Sequence, residues 1–181
     1  MGLVVVVLTA RFGGYDALPD SVGWGLVLAG LLPLRDRLPG ARTAAWLAAT
    51  AGVVAVPLWL PTVRAALAPS AEWALSLPQT VCCVALCAGL ATACDRAGER
   101  EAARFGLLRW VFVALAVAPV LVYGGGQSDL AVPVAVGSVL ANVVLVWLLF
   151  RVSRRPWAGG PAPVPSGNAA GPPPVGDGPA D

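Results

Sequence analysis

The sequence lacks histidine and lysine altogether, and only 12% of its 181 residues are charged. The absence of histidine excludes the usual zinc, haem and facial-triad ligand sets, as well as Ser-His and Cys-His catalytic pairs. A soluble domain carries about 25% charged residues, so this chain has too little polar surface to cover a water-soluble globule. The net charge of only +2, without a basic run and interleaved aromatics, is too small to suggest nucleic acid, so we expect no nucleic-acid partner.

Cysteine is confined to one apolar stretch, where it occurs at positions Cys82, Cys83, Cys87 and Cys94. This confinement excludes a secreted disulfide scaffold. Three of the four share one helical stripe, but a thiol in lipid with no adjacent basic group stays protonated. We therefore expect the cysteines to pack as small apolar residues rather than to bind a metal. Neither a metal nor a cofactor is expected, and we expect no enzymatic activity.

Apolar residues make up 57% of the chain and fall into segments that could cross a membrane. The last four segments reach the roughly 17–25 residues that a span requires, whereas the first two are shorter. We expect the first two to form a tight hairpin of two spans, with a shallower insertion as the alternative. The sequence thus predicts an all-α, polytopic membrane helix bundle of about six transmembrane helices, or five if the first segment does not span. The segments are 2–17, 21–35, 43–62, 73–94, 105–124 and 130–151.

The arginines predict the orientation of these segments. With the N-terminus inside, nine arginines fall in cytoplasmic loops or in the tail, and only Arg64 falls in an outer loop. Cytoplasmic loops carry such an excess of basic residues, so we predict a multi-pass protein of the cell membrane with both termini cytoplasmic. The transmembrane domain covers residues 1–152. Residues 153–181 are predicted to be a disordered tail, because this stretch is rich in Pro and Gly and poor in apolar side chains.

Part of the sequence nearly repeats itself 59 residues later. Residues 18–39 and 77–98 are identical at eight of 22 positions, and each runs from Leu-Pro through Ala-Gly-Leu to Asp-Arg. We interpret this as an internal duplication of a two-helix unit in parallel orientation, with the Leu-Pro-Asp and Leu-Pro-Gln motifs forming outer turns. Chance recurrence of common dipeptides in an Ala- and Leu-rich chain is the alternative.

Small and polar residues predict how the helices pack. Small residues recur at steps of four in three segments, including Gly137 and Ala141 in the last, and allow close approach of helix backbones in lipid. We expect Asn142, a lone polar residue in the last segment, to hydrogen-bond between helices. The tryptophans lie near segment ends, as in the aromatic belts at membrane boundaries, with Trp24 at the outer boundary. The small residues are Ser21, Gly25 and Ala29, then Ala44, Ala48 and Gly52.

Five polar residues form the candidate binding site for an ion or substrate: Arg11, Asp16, Asp20, Glu72 and Gln79. Arg11 is expected roughly in the middle of the first segment, and the other four are expected near the outer boundary. Ionisable groups at membrane depth are costly and are often functional. The structural alternatives are that Asp20 caps the second helix and that Arg11 extends to the interface.

Two functions fit these residues. The first is a non-enzymatic membrane protein acting in the lipid bilayer through helix packing, as a homo-oligomer or with a membrane protein partner. The alternative is a small transporter with a polar pathway between the repeated hairpins. A transporter requires the polar groups to face a shared cavity, whereas a packing protein directs them to solvent or to helix caps.

The run from Gly14 to Trp24, followed by Gly30-Leu31, resembles a pattern of small multi-pass membrane proteins of Gram-positive bacteria, which are uncharacterised as a group. Those proteins carry an N-terminal D-x-L-P-D-x-x-G-aromatic run before an apolar helix and a Gly-Leu. The use of Arg alone, with abundant Ala, Gly, Pro and Val, is typical of GC-rich coding, as in actinobacteria. The resemblance covers residues 14–31 and implies a multi-pass bacterial membrane protein, without an activity.

Overall fold

A computed structural model describes residues 11–12, 15–16, 20–36 and 38–155 of the chain. These residues form a helix bundle, which confirms the predicted all-α fold class. Two short strands precede the helices, and 3-10 turns follow α1 and precede α6. The elements are β1 (Arg11–Phe12), β2 (Tyr15–Asp16), α1 (Asp20–Leu31), α2 (Ala41–Leu58), α3 (Pro61–Ala66), α4 (Pro69–Arg96), α5 (Glu101–Gly124) and α6 (Ala131–Ser153).

Four of the described helices, α2, α4, α5 and α6, are long and apolar enough to cross a membrane. Helix α1 has 12 residues, so it extends about 18 Å, less than the roughly 30 Å thickness of a bilayer core. The sequence predicts a helical segment over residues 2–17. For the described residues of that segment the prediction is wrong, because Arg11–Phe12 pairs with Tyr15–Asp16 as antiparallel strands. Residues 1–10, and the predicted tail from residue 156 onwards, lie outside the described residues.

The bundle has two different ends. Helix α1 packs on α2, α2 on α4, α4 on α5, and α5 on α6. We call the end with residues 32–40 and 97–100 the arginine-rich end, and the opposite end, with residues 59–68 and 125–130, the cleft end. Among the described residues, the arginine-rich end carries Arg35, Arg42, Arg96, Arg100, Arg104, Arg151, Arg154 and Arg155, and the cleft end carries Arg64.

The close-packed core lies in the half nearest the arginine-rich end. Ala44 and Ala48 of α2 are fully buried, as are all four cysteines of α4, which are free thiols. The Cys82 thiol donates a hydrogen bond to the Ala44 carbonyl across 3.4 Å, so α2 and α4 approach closely. The predicted packing of small residues in α2 is confirmed for Ala44 and Ala48, whereas Gly52 is half-buried, and the predicted packing of the cysteines is confirmed.

Helix α1 packs differently from its prediction. Its small residues Gly25 and Ala29 are exposed, and Trp24, Val27 and Leu31 are buried instead. Trp24 is 2% exposed and lines cleft A near the start of α1, so it packs inward, and its position at a membrane boundary stays a prediction. Large side chains fill the space beside α2 because Gly52 lies directly against Trp24, where an added Cβ would be 3.2 Å from the tryptophan Cβ.

The second copy of the repeated sequence does not begin with a turn. Leu77 to Gln79 lie inside α4, which begins at Pro69 and continues through Pro78. The predicted Leu-Pro-Gln turn is therefore wrong. Both copies nevertheless end in the same way. Asp36 follows α1, Asp95 lies at the end of α4, and in each case an antiparallel helix comes next.

Candidate functional site

The structure brings two of the five predicted site residues together. Glu72 and Gln79 line the same cleft at the cleft end of the bundle. The strand register pairs the backbones of Arg11 and Asp16, and Asp20 begins α1. The side chains of Arg11, Asp16 and Asp20 lie outside the described part of the structure. The predicted helix cap by Asp20 and the predicted role of Arg11 therefore stay predictions.

The cleft that contains Glu72 and Gln79, here called cleft A, lies between α1, α2 and α4. It has a volume of about 430 Å³, within the range of small-molecule sites, about 300–1,000 Å³. Its walls are apolar and aromatic towards α1 and α2 and polar towards α4. The side chains that line it include Trp24, Trp59, Arg64, Glu72, Ser76 and Gln79.

An ion pair stands at the mouth of cleft A. The Arg64 Nε lies 3.2 Å from Glu72 Oε1, and the two side chains are 43% and 50% exposed. Helix α3, which has only six residues, presents Arg64. Glu72 lies in the first turn of α4, where a carboxylate interacts favourably with the positive end of the helix dipole. Arg64 was missed as a site residue because the sequence places it in a loop, remote from any acidic residue except Glu72.

A second cleft, cleft B, lies on the other side of α4, against α5 and α6. It has a volume of about 200 Å³, and Ser76, Gln79 and Thr80 of α4 face Ser138 and Asn142 of α6 across it. Where these five side chains donate hydrogen bonds, the acceptors are carbonyls of their own helix. Ser76 and Thr80 donate to carbonyls of their own helix, Trp73 and Ser76 respectively.

Asn142 also bonds within its helix. Its Nδ2 donates to the Ser138 carbonyl across 2.9 Å. The expected hydrogen bond between helices is therefore wrong, because the amide reaches the carbonyl one turn earlier on α6. Its side chain still lines cleft B.

Gln79 is the polar side chain that connects the two clefts. Together with Ser76, it lines both cleft A and cleft B, so α4 forms the wall between them. Ser76 satisfies its hydroxyl on its own backbone, whereas within the described residues the Gln79 amide has no hydrogen-bond partner. A half-buried amide in an apolar environment is costly without a partner. Gln79 is thus the group at which a water or a polar solute gains a hydrogen bond.

Trp73 ties α4 to α5 beside cleft B. Its Nε1 donates to the Ala116 carbonyl across 3.2 Å. Pro119 lies three residues further along α5 and cannot donate to the helix ladder, which weakens hydrogen bonding in this turn. The N–H missing at Pro119 would have bonded Leu115, so the indole bonds the next carbonyl of the same turn.

The arginine-rich end is closed by two ion pairs between α5 and α6. Arg151 Nε lies 2.9 Å from Glu101 Oε1, and Arg155 Nη2 lies 3.1 Å from Glu99 Oε2. Glu101 is 4% exposed and is the one buried charged residue of the described part. Arg151 also lies over the Trp147 ring at 5.4 Å. These contacts fix the start of α5 to the end of α6, so the bundle is closed here and open at the cleft end.

The described residues contain no group of three or more cysteine, aspartate or glutamate side chains placed to hold a metal ion. Comparison with protein-family models, with curated proteins and with solved structures finds no match for this chain. The class that the fold and composition define is therefore a helix bundle with four candidate membrane spans.

Proposed function

We propose that this chain is a multi-pass protein of the bacterial cell membrane, with the arginine-rich end in the cytoplasm. Eight of the described arginines lie at one end, whereas Arg64 lies at the other, Arg109 lies within α5 and Arg11 lies in β1. This excess at one end is the asymmetry of the positive-inside rule. The lipid-facing surface is supplied by exposed apolar side chains on the long helices, such as Val53, Val117, Val136 and Val139. The bacterial assignment is supported by the resemblance of residues 14–31.

In that membrane, the chain acts as a small non-enzymatic transporter that binds a polar solute at the cleft end. The observation that carries this proposal is the position of Gln79, an unpartnered amide that lines both clefts. This favours a transporter over the helix-packing function, because Glu72 and Gln79 share a cavity rather than pointing separately to solvent. A bundle closed at one end and open at the other corresponds to one state of alternating access.

The internal duplication belongs to this proposal. The repeated stretches, residues 18–39 and 77–98, contain α1 and the second part of α4, and cleft A lies between these two helices and α2. Binding sites between repeats are common among transporters. The difference between the copies, Asp20 in one and Gln79 in the other, places the uncharged amide in the copy that lines both clefts.

Helix packing with a partner is the second candidate function. Helix α6 supports it, since only 17% of its most apolar window is buried inside the bundle. A second copy of this chain or another membrane protein could cover that surface in place of lipid. Counting subunits by single-molecule photobleaching in lipid nanodiscs tests this function, and a monomer that still binds solute would exclude oligomerisation as the basis of activity.

Thiol labelling tests the proposed aqueous cleft directly. A Gln79→Cys variant in proteoliposomes should react with a charged, membrane-impermeant methanethiosulfonate, because the reactive thiolate forms only where water reaches it. The matched control is Val81→Cys, since Val81 lies two residues along the same helix and is 43% exposed on the surface assigned to lipid. The native cysteines are buried, so the unmodified protein supplies the background. Equal labelling of both variants, or of neither, would contradict a water-filled cleft at Gln79.

A further inference from the structure

We propose that cleft A recognises a small zwitterion, a molecule with one ammonium and one carboxylate or phosphate group, through the Arg64–Glu72 pair at its mouth. This inference rests on the proposed function and names the class of solute that the same site binds. The acidic group of the zwitterion interacts with Arg64, and its ammonium group interacts with Glu72.

The first argument is the charge at the mouth. Arg64 and Glu72 present opposite charges side by side, 3.2 Å apart, and both side chains are about half exposed. The contact uses Nε of the guanidinium and one carboxylate oxygen, which leaves the two Nη groups and Oε2 for a ligand. A simple anion or cation would meet one opposite charge and one like charge, whereas a zwitterion finds a partner for each of its groups and brings no net charge into the cleft.

The second argument is the rest of the cleft, which is apolar apart from the wall formed by α4. Leu58, Trp59 and Leu75 line the space beyond the ion pair. Gln79 lies seven residues after Glu72 on α4, about 10 Å further along the helix. A ligand with its charges at the mouth and an apolar or amide-bearing body about this long fits a volume of about 430 Å³. This matches an amino acid or a dipeptide in size.

The third argument is that the ion pair is poorly placed to stabilise the fold. Exposed pairs between long side chains contribute little, because water screens them and ordering the side chains costs entropy. The close-packed half of the bundle is closed instead by Glu101 with Arg151. Neutralising Arg64 should therefore leave the protein folded, so binding can be tested in the variant.

The chemistry is shared by two sources, a free amino-acid-like solute and a zwitterionic lipid headgroup such as phosphatidylethanolamine. An Ala55→Cys reporter distinguishes them, because Ala55 lines cleft A and is outside the proposed polar contacts. Labelling is measured in phosphatidylglycerol vesicles with and without L-glutamine, and in vesicles containing phosphatidylethanolamine. Val53→Cys, on the lipid-facing side of the same helix and 72% exposed, is the matched control.

We expect L-glutamine to slow labelling at Ala55→Cys in phosphatidylglycerol vesicles. N-acetyl-L-glutamine lacks the ammonium and L-glutaminamide lacks the carboxylate. Each should need a concentration at least roughly tenfold higher to slow labelling equally, because one charge-assisted contact is lost. Adding Arg64→Met should abolish protection by L-glutamine, whereas Arg104→Met at the arginine-rich end should not. Slower labelling caused by phosphatidylethanolamine alone, and relieved by Arg64→Met, would support the zwitterion site with lipid as its source.

Two results would overturn the proposal, and they differ from failure of the proposed function. If L-glutamine and both charge-removed analogues protect equally, or if neither L-glutamine nor phosphatidylethanolamine protects, the site does not select zwitterions. The aqueous cleft, and with it the transporter proposal, still stands in that case if Ala55→Cys and Gln79→Cys are labelled. If neither cysteine is labelled under any condition, the proposed function itself is wrong.

Discussion

Gly89 and Gly30 occupy matching positions in the repeated sequence, yet the structure predicts opposite effects when each is changed to alanine. Gly89 is buried in α4 against residues 38–40, and a Cβ there would overlap the Pro39 carbonyl oxygen and lie 3.4 Å from Leu38 Cγ. A Cβ on Gly30 would meet no atom within 4 Å. The two substitutions are chemically identical, so a difference between them reports the packing at Gly89.

The magnitude follows from two opposing contributions. Alanine is favoured over glycine inside a helix by about 0.5–1 kcal/mol, and this gain applies to both variants. At Gly89, residues 38–40 and α4 must separate by more than about 0.5 Å, and such overpacking costs about 1–3 kcal/mol. The obstacle is backbone rather than a flexible side chain, so it cannot be relieved by a rotamer change. Gly30→Ala should therefore be slightly stabilising and Gly89→Ala destabilising, with a difference of about 1–3 kcal/mol.

Thermal unfolding in detergent, followed by tryptophan fluorescence, measures this difference. For a chain of this size, 1 kcal/mol corresponds to about 2–4 °C in Tm, so the two variants should be separated by at least about 2 °C. Gly106→Ala is a second control, because Gly106 in α5 also has no atom within 4 Å of an added Cβ. If Gly89→Ala unfolds at or above the Tm of Gly30→Ala, the close approach of residues 38–40 to α4 is refuted.

Two further predictions concern the contacts that join neighbouring helices. Arg151→Met should lower the Tm because it leaves the carboxylate of Glu101, which is 4% exposed, without its partner. Arg35→Met is the control, since it removes an exposed pair between adjacent residues and should change the Tm little. Equal changes in Tm for the two variants would contradict the buried pair. Trp73→Phe should cost about 1 kcal/mol through loss of the indole hydrogen bond to α5. Trp46→Phe, at a side chain 73% exposed, is its control in the same unfolding assay, and an unchanged Tm for both would count against that bond.

The hydropathy pattern predicted the long helices well, and it failed where local signals competed with helix continuation. The segment 73–94 corresponds to α4, but α4 extends from Pro69 to Arg96 and passes through Pro78. A Leu-Pro-Gln sequence is typical of a turn. In an apolar segment, however, leaving the helix exposes backbone groups that lipid cannot hydrogen-bond, and this favours continuing it despite the proline.

Packing direction could not be predicted from periodicity in this composition. Small residues occur on several faces of each helix, so the stripe through Gly25 and Ala29 was as plausible an interface as the stripe through Ala44 and Ala48. Only the second is buried. The deciding factor is Trp24, whose large side chain removes more apolar surface from lipid or water when it packs against Gly52 than either small residue would.

The sequence by itself determined that the chain is helical, that its long helices are apolar enough for a membrane, and that its arginines gather at one end. These properties follow from residue type and spacing alone, because hydropathy and charge act on each segment separately. The tertiary structure decided which polar side chains meet. Arg64 and Glu72 pair, and Gln79 lines two clefts, because α2, α4 and α5 pack tightly in one half and diverge in the other. Which side chains meet depends on the distances between helices, and no single segment encodes those distances.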